Sequence, residues 1–251
     1  MSSGGLLIPH LERALVSSGN TWPEEYAIKI HNKERHWDGF FHPSSHITPA
    51  EMQLFYVFHP KYQTHKDSLS VDTIMTFQVG SAYHALVQSM LIHLEFTTPE
   101  ECEVHFFSDV RHCSGTMDIR KLTLLNGDTL PVEIKSAAFF GKDTTPPPQY
   151  IQQLQVYMDL GCEEPQEQGL LLFLQKQHPH KFREILIQRD EKMLNDIYAK
   201  WNRVLEAIEF DDPSMLTYPC HERDTQSHRE CPARFICRMG PPTGERYPVN
   251  A

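Results

Sequence analysis

An aspartate at position 118, followed by a glutamate and a lysine one residue apart at 133 and 135, is a spacing that can do chemistry. In an extended strand alternate side chains share a face, so Glu133 and Lys135 point one way while Ile134 packs into the core behind. If Asp118 faces them from a neighbouring strand, two carboxylates and one ammonium converge. Carboxylate oxygens hold hard divalent cations such as Mg2+ or Mn2+, and the backbone carbonyl of Ile134 is a candidate additional ligand. A cation held there polarises a phosphoryl group and acidifies water, while a nearby lysine positions that water and offsets the developing charge. The set suits phosphodiester hydrolysis. Taken alone, the same pattern also describes a surface strand carrying an ion pair, so the surrounding sequence has to decide.

The elements that must position these residues can be read from periodicity and turn chemistry. Residues 49–58 (PAEMQLFYVF) read as a helix with proline near its first turn, capped by Ser45 or Thr48. Apolar spacing over 71–96 predicts one long helix, with Gly80 as a candidate break. Residues 101–110 (ECEVHFFSDV) alternate as a strand does. Residues 114–136 then read as strand, turn, strand, with Asn126-Gly127 as the hairpin turn and Asp118 at the end of the first strand. The run FFGKDTTPPPQ reads as a loop, because three consecutive prolines cannot continue a helix. A helix over 150–160, strands over 169–174 and 182–188, and an amphipathic helix over 191–210 complete the series. The order predicts an α/β fold, a mixed central β-sheet flanked by helices. We expect an irregular and helical segment over 1–70 packed on the core, a catalytic core over 71–210, and a Cys/His-rich tail over 211–251 folded back onto it.

The sequence around the acidic residues resembles the PD-(D/E)XK nuclease superfamily, in particular its RecB-like exonuclease branch with CRISPR-associated and phage members. Four elements carry the resemblance in order: Gly80-x-x-x-His84 on a helix, Gly115-Thr-Met-Asp118, Val132-Glu133-Ile134-Lys135, and Gln153-Leu-Gln-Val-Tyr157. It spans residues 76–174 and implies a restriction-endonuclease-like core. It implies that His84, Asp118 and Glu133 ligate the catalytic metal, beside the Ile134 carbonyl already named as a candidate, and that Lys135 orients the attacking water. Gln153 and Tyr157, one helical turn apart, would border the site and contact DNA or Lys135. Glu103 stands where such relatives often carry an acidic residue. Each also has an ordinary reading: a buried histidine, a core aromatic, a solvated glutamine.

Cys220, Cys231 and Cys237 crowd the tail together with His221 and His228. RecB-like relatives often hold an iron–sulfur cluster with one cysteine before the core and a trio after it. Here the first member of the trio is His228, and no cysteine stands before the core. Cys220, His228, Cys231 and Cys237 would make a Cys3His set suited to structural Zn2+, with a 4Fe-4S cluster or no metal as the alternatives. His46 or His59 is an alternative fourth ligand. Cys102, Cys113 and Cys162 read as ordinary buried thiols.

The chain has 251 residues, 40% hydrophobic and 22% charged, enough for a sizeable core without disulfides. Its formal charge of −10 argues against a protein that coats nucleic acid through a general basic surface, while leaving a local basic groove open. Phosphate contacts would come from Arg111, Arg120, Lys121, Lys142, Lys176, Lys181, Arg229, Arg234 or Arg238, and Phe139 and Phe140 are candidates for stacking on bases. There is no apolar run long enough for a membrane span and no basic, apolar leader, so the expected compartment is the cytoplasm, the host's if the chain is phage-encoded. The expected activity is a Mg2+- or Mn2+-dependent DNA exonuclease acting on free ends, in recombination, repair or phage DNA processing with recombination or replication partners. The alternatives are a non-catalytic DNA-binding adaptor and an endonuclease of the same superfamily.

Overall fold

The computed structural model describes residues 6–11, 39–62, 71–137, 145–178, 180–216 and 233. Among the described residues the elements that build the sheet and its helices follow one another as α1 (Pro43–His46), α2 (Glu51–Phe58), α3 (Val71–His93), β1 (Cys102–Ser108), β2 (Cys113–Thr123), β3 (Thr129–Ala137), α4 (Pro148–Val156), β4 (Gln168–Gln175), β5 (Phe182–Gln188) and α5 (Glu191–Glu209). The expected α/β architecture with a mixed sheet flanked by helices is what the chain adopts. The strands form a single sheet in the order β1-β2-β3-β4-β5. All neighbours are antiparallel except β3 and β4, which are parallel. A parallel pair needs a crossover connection, and α4 lies in it.

The chain divides into two compact units, one of residues 1–44 and 70–194, the other of residues 45–69 and 195–251. The first holds the sheet. Val132 and Ile134 of β3, with Leu170, Leu172 and Leu174 of β4, join Val87, Met90 and Leu91 of α3 in one apolar cluster. The opposite face of the same strands carries Glu133, Lys135, Leu171 and Phe173, against α4. In the second unit the buried Trp201 indole N–H donates to the His46 carbonyl at 3.1 Å, and Arg203 grips the buried Glu51 carboxylate with two N–H groups.

The sequence expectations need several corrections. Residues 43–46, expected to be irregular, form the turn α1. Helix α2 starts at Glu51 behind an extended Ala50, with no side-chain cap, so neither Ser45 nor Thr48 caps it; Ser45 is itself inside α1. Helix α3 is unbroken at Gly80 and ends at His93, three residues early. It stops because Glu95 turns left-handed (φ 61°), which lets the Phe96 N–H bond back to the Leu91 carbonyl. Pro148 opens α4 rather than closing a loop, as its missing N–H would have no partner in a first turn anyway. The helix expected to run to 160 instead widens at Tyr157–Gly161 into a π-type turn. The hairpin turn stands as expected, with Gly127 at φ 89°, where a side chain would be strained.

Among the described residues no helix is long and apolar enough to cross a membrane. Cys220, His228, Cys231 and Cys237, with Lys142, Phe139, Phe140, Arg229, Arg234 and Arg238, lie outside the described residues.

Candidate active site

Strands β2 and β3 pair from Thr123↔Thr129 down to Ile119↔Val132 and no further. The next residues, Asp118 and Glu133, stand where the two strands part, while β2 stays paired to β1 as far as Cys113. Asp118 is therefore in the middle of β2, not at its end as the sequence suggested; the strand continues because β1 supplies its ladder. The Asp118 carboxylate replaces the lost ladder bond, accepting the Ile134 N–H at 2.7 Å on Oδ2. Its other oxygen, Oδ1, lies 3.0 Å from His84 Nδ1 of α3. One buried carboxylate thus ties together β2, β3 and α3.

A second group of residues gathers on the α4 side of β3. The Lys135 ammonium donates to Glu133 Oε1 at 2.6 Å and to Gln153 Oε1 at 2.9 Å, and sits 4.8 Å from the centre of the Tyr150 ring. The Gln153 amide nitrogen donates to Glu133 Oε1 at 2.9 Å and to the Tyr157 hydroxyl at 2.8 Å. Both hydrogens of that amide are therefore used, and its oxygen is engaged by the lysine. The Tyr157 ring packs edge-on against Phe106, over Gly115. A Cβ at Gly115 would come within 2.7 Å of the Phe106 ring, so glycine is what lets these two rings lie on β2.

Glu103 joins the site from β1. His84, Glu103 and Asp118 offer ligand atoms that all lie within 4.8 Å of one another. The buried Gln88, one turn after His84 on α3, donates to Glu103 Oε1 at 2.9 Å and to the Asp118 carbonyl at 2.8 Å. Glu103 itself is left-handed (φ 52°), a conformation costing an L residue roughly 1–2 kcal/mol. Gln88 had no sequence signal beyond its i+4 spacing from His84, and only the cross-strand placement of β1 reveals what it holds.

Charge follows from this packing. Burial, and then the neighbouring Asp118 charge, push the Glu133 carboxyl up to about 7, against the pull of Lys135 and His84. Burial also raises the Asp118 carboxyl, but His84, Lys135 and the Ile134 N–H outweigh it and hold it below its ordinary value. For His84 burial works downward, and Asp118 more than compensates, leaving the imidazole above its ordinary value. Lys135 is likewise lowered by burial and lifted further by Glu133 and Asp118, so it stays an ammonium. Burial also raises the Tyr157 hydroxyl well beyond the usual phenol range.

The donor set fits a hard divalent cation. His84, the exposed Glu103 and the buried Asp118 offer one imidazole and two carboxylates, and Glu133, which is not one of these three, is buried close enough to Asp118 for the two charges to penalise each other. Glu133 Oε2 is buried with no hydrogen-bond partner among the described residues, a cost that a ligand would remove.

Other candidates serve different ends. Arg120 is locked to Glu101 by two bonds of 2.8 and 3.0 Å. His59 has both ring nitrogens engaged, by Asp211 at 3.1 Å and by the Lys61 N–H at 3.1 Å. Cys113 is buried, and Cys102 and Cys162 are half-buried thiols that burial pushes up to about 12 and about 11, so they are inert.

No protein-family model matches the sequence, and no curated protein matches it. Among solved structures, that of SSO0001 aligns over 91% of this chain and 94% of its own, at 15% identity and a TM-score of 0.44. The crystal structure of LHK-Exo in complex with dAMP aligns over 69% of this chain and 89% of its own, at 16% identity and a TM-score of 0.46. At these values neither likeness assigns a role to any residue of this chain.

Proposed function

We propose that this chain is a divalent-metal-dependent DNA exonuclease of the PD-(D/E)XK superfamily, RecB-like branch. The observation that carries the reading is the meeting of His84, Glu103 and Asp118 beside the Glu133–Lys135–Gln153–Tyr157 network, at the point where β2 and β3 part. His84, Asp118 and Glu133 would hold Mg2+ or Mn2+, with the Ile134 carbonyl and Glu103 as further oxygen donors. The cation, when bound, supplies Lewis-acid polarisation of the scissile phosphate and acidifies the attacking water.

The protein groups do the positioning. Two of the three Lys135 donors are spent on Glu133 and Gln153, and the remaining one orients the water. Gln153 keeps Glu133 and Lys135 in a fixed relation, and Tyr157 keeps Gln153 in place. Asp118, held ionised by His84 and the Ile134 N–H, keeps the anionic side of the site charged at neutral pH. The tail set Cys220, His228, Cys231 and Cys237 is proposed to hold a structural zinc, which metal analysis of the purified protein would identify or replace with iron.

End-labelled linear DNA incubated with Mn2+ tests the activity. The expected result is progressive release of nucleotides from linear DNA, with covalently closed circles untouched. No release by the wild type, or equal release by Lys135→Ala, would overturn the reading. Cutting of closed circles would make the protein an endonuclease instead.

A further inference from the structure

The first half of α3 presents solvent with an apolar surface. Val71, Ile74, Met75, Phe77 and Val79 are 41–75% exposed, whereas Val87, Met90 and Leu91 of the same helix are fully buried. Isolated exposed apolar residues need no explanation, but here five fall within nine positions, and at 100° per residue Val71, Met75 and Val79 lie on one side of the helix while Ile74 and Phe77 lie on another, the side that also carries Gly80 and His84.

The Ile74–Phe77 side is the one that leads to the candidate site. Phe77 precedes His84 by seven residues, so the two lie on one stripe of the helix about 10 Å apart. Ile74, one turn earlier, borders the same stripe. Between Phe77 and His84 the stripe passes Gly80, where a Cβ would lie 3.5 Å from Ser136 Oγ, on the residue that follows Lys135. The stripe therefore runs from the cation ligands, past the end of the lysine-bearing strand, to an exposed phenyl ring. From 71 to 93 the helix holds no lysine or arginine, and its first half has Asp72 as its sole charge. Such a surface offers a phosphate no cationic side chain. Its flat aromatic and branched aliphatic groups match the π faces of unpaired nucleobases, which stack on aromatic side chains without regard to sequence.

We propose that Phe77, flanked by Ile74, is a stacking platform for unpaired bases of the DNA strand that enters the site, so that a single-stranded end is the preferred substrate. The substrate follows from the nuclease reading above, and the platform from the exposed stripe. Phe77 touches the bases and not the reacting atoms; it binds and aligns the strand.

The test uses the full chain carrying Lys135→Ala, so that DNA stays intact in Mn2+. The probe is a short single-stranded oligonucleotide with 2-aminopurine near its end. Binding is expected to quench the probe. Adding Phe77→Ala is expected to weaken binding by about 5- to 100-fold and to abolish the quenching, while Phe77→Trp keeps both and loses its own indole emission on binding. A blunt duplex of the same length is expected to bind with little change. Unchanged affinity and quenching in Phe77→Ala would overturn the platform while leaving cleavage by the wild type intact. Stacking without any cleavage by the wild type would keep the platform and sink the nuclease reading. A Phe77→Ala variant that shifts a monomer–dimer equilibrium in sedimentation, with DNA affinity unchanged, would reassign the patch to a second copy of the chain.

Discussion

The two faces of β3 are both buried at Val132, Glu133 and Ile134 and are stabilised by opposite means. On one, Val132 and Ile134 are at most 1% exposed and gain from dispersion and burial against α3 and β4. On the other, Glu133 is only 3% exposed yet charged groups meet amides and a phenol. Burial therefore does not distinguish structural from functional positions here. What distinguishes them is unmet demand: the apolar face is satisfied by contacts alone, while the polar face leaves Glu133 Oε2 without a partner among the described residues and lifts that carboxyl to about 7. A face that folding leaves incomplete is one that a ligand can complete.

That contrast makes removing a polar group cost turnover and removing an apolar group cost folding. Lys135→Ala should reduce cleavage by about 10^2- to 10^4-fold, the range for losing a group that positions charge or a proton at the reacting centre. Single-turnover rates in Mn2+ measure this. A loss below tenfold would place Lys135 outside the chemistry. Its neighbour behaves in the opposite sense. Ile134→Ala should destabilise the fold by about 2–5 kcal/mol by opening a cavity, while Mn2+ affinity of the folded fraction stays within about twofold. Urea denaturation and Mn2+ titration read the two effects separately.

A third test follows from the Glu133 carboxyl in metal-free protein. Unfolded, it loses its proton near the ordinary 4.5; folded, it keeps the proton to about 7. Between those values the folded chain binds more protons than the unfolded chain, so this group's contribution to stability falls as pH rises. Glu133→Gln removes that dependence. Relative to wild type, the variant should gain on the order of 1–3 kcal/mol between pH 4.5 and pH 8, read from urea denaturation in EDTA at several pH values. A flat difference would mean that the polar face carries no such demand. Excess Mn2+ should shrink the variant's advantage at pH 8 by stabilising the wild type.

The smallest effect concerns the ring packing that supports the polar face. Gly115→Ala places a Cβ against the Phe106 and Tyr157 rings. The expected cost is about 1–3 kcal/mol, with a loss of activity at 25 °C exceeding what the unfolded fraction explains, because Tyr157 holds Gln153. Thermal melting and specific activity together check it. Activity that tracks the folded fraction alone would confine Gly115 to packing.

Much of this was legible from residue types. The pleat of a strand puts Glu133 and Lys135 on one face and Ile134 on the other whatever the fold around it, and Asn126-Gly127 announces a turn because few residues tolerate φ 89°. Gln153 and Tyr157 are neighbours by helical geometry. The misjudged parts share a cause: their outcome depends on what lies next to them in space. Asp118 was expected to end a strand, and its pairing to β3 does stop there, but β1 carries the strand on to Cys113. The helix after Pro148 looked longer because periodicity does not register the change to the i→i+5 bonding of a π-type turn.

By itself the sequence determined the series of strands and helices in a mixed sheet, the shared face of Glu133 and Lys135, and the residue types able to hold a cation. These are local consequences of backbone geometry and side-chain chemistry. Only the tertiary structure brought Glu103 to His84 and Asp118, put Gln88 between two strands as their tether, inserted the Asp118 carboxylate into the gap between β2 and β3, and left Phe77 exposed on the stripe that leads to His84. Each of those depends on distant segments meeting at bonding distance, and spacing along the chain does not encode such a distance.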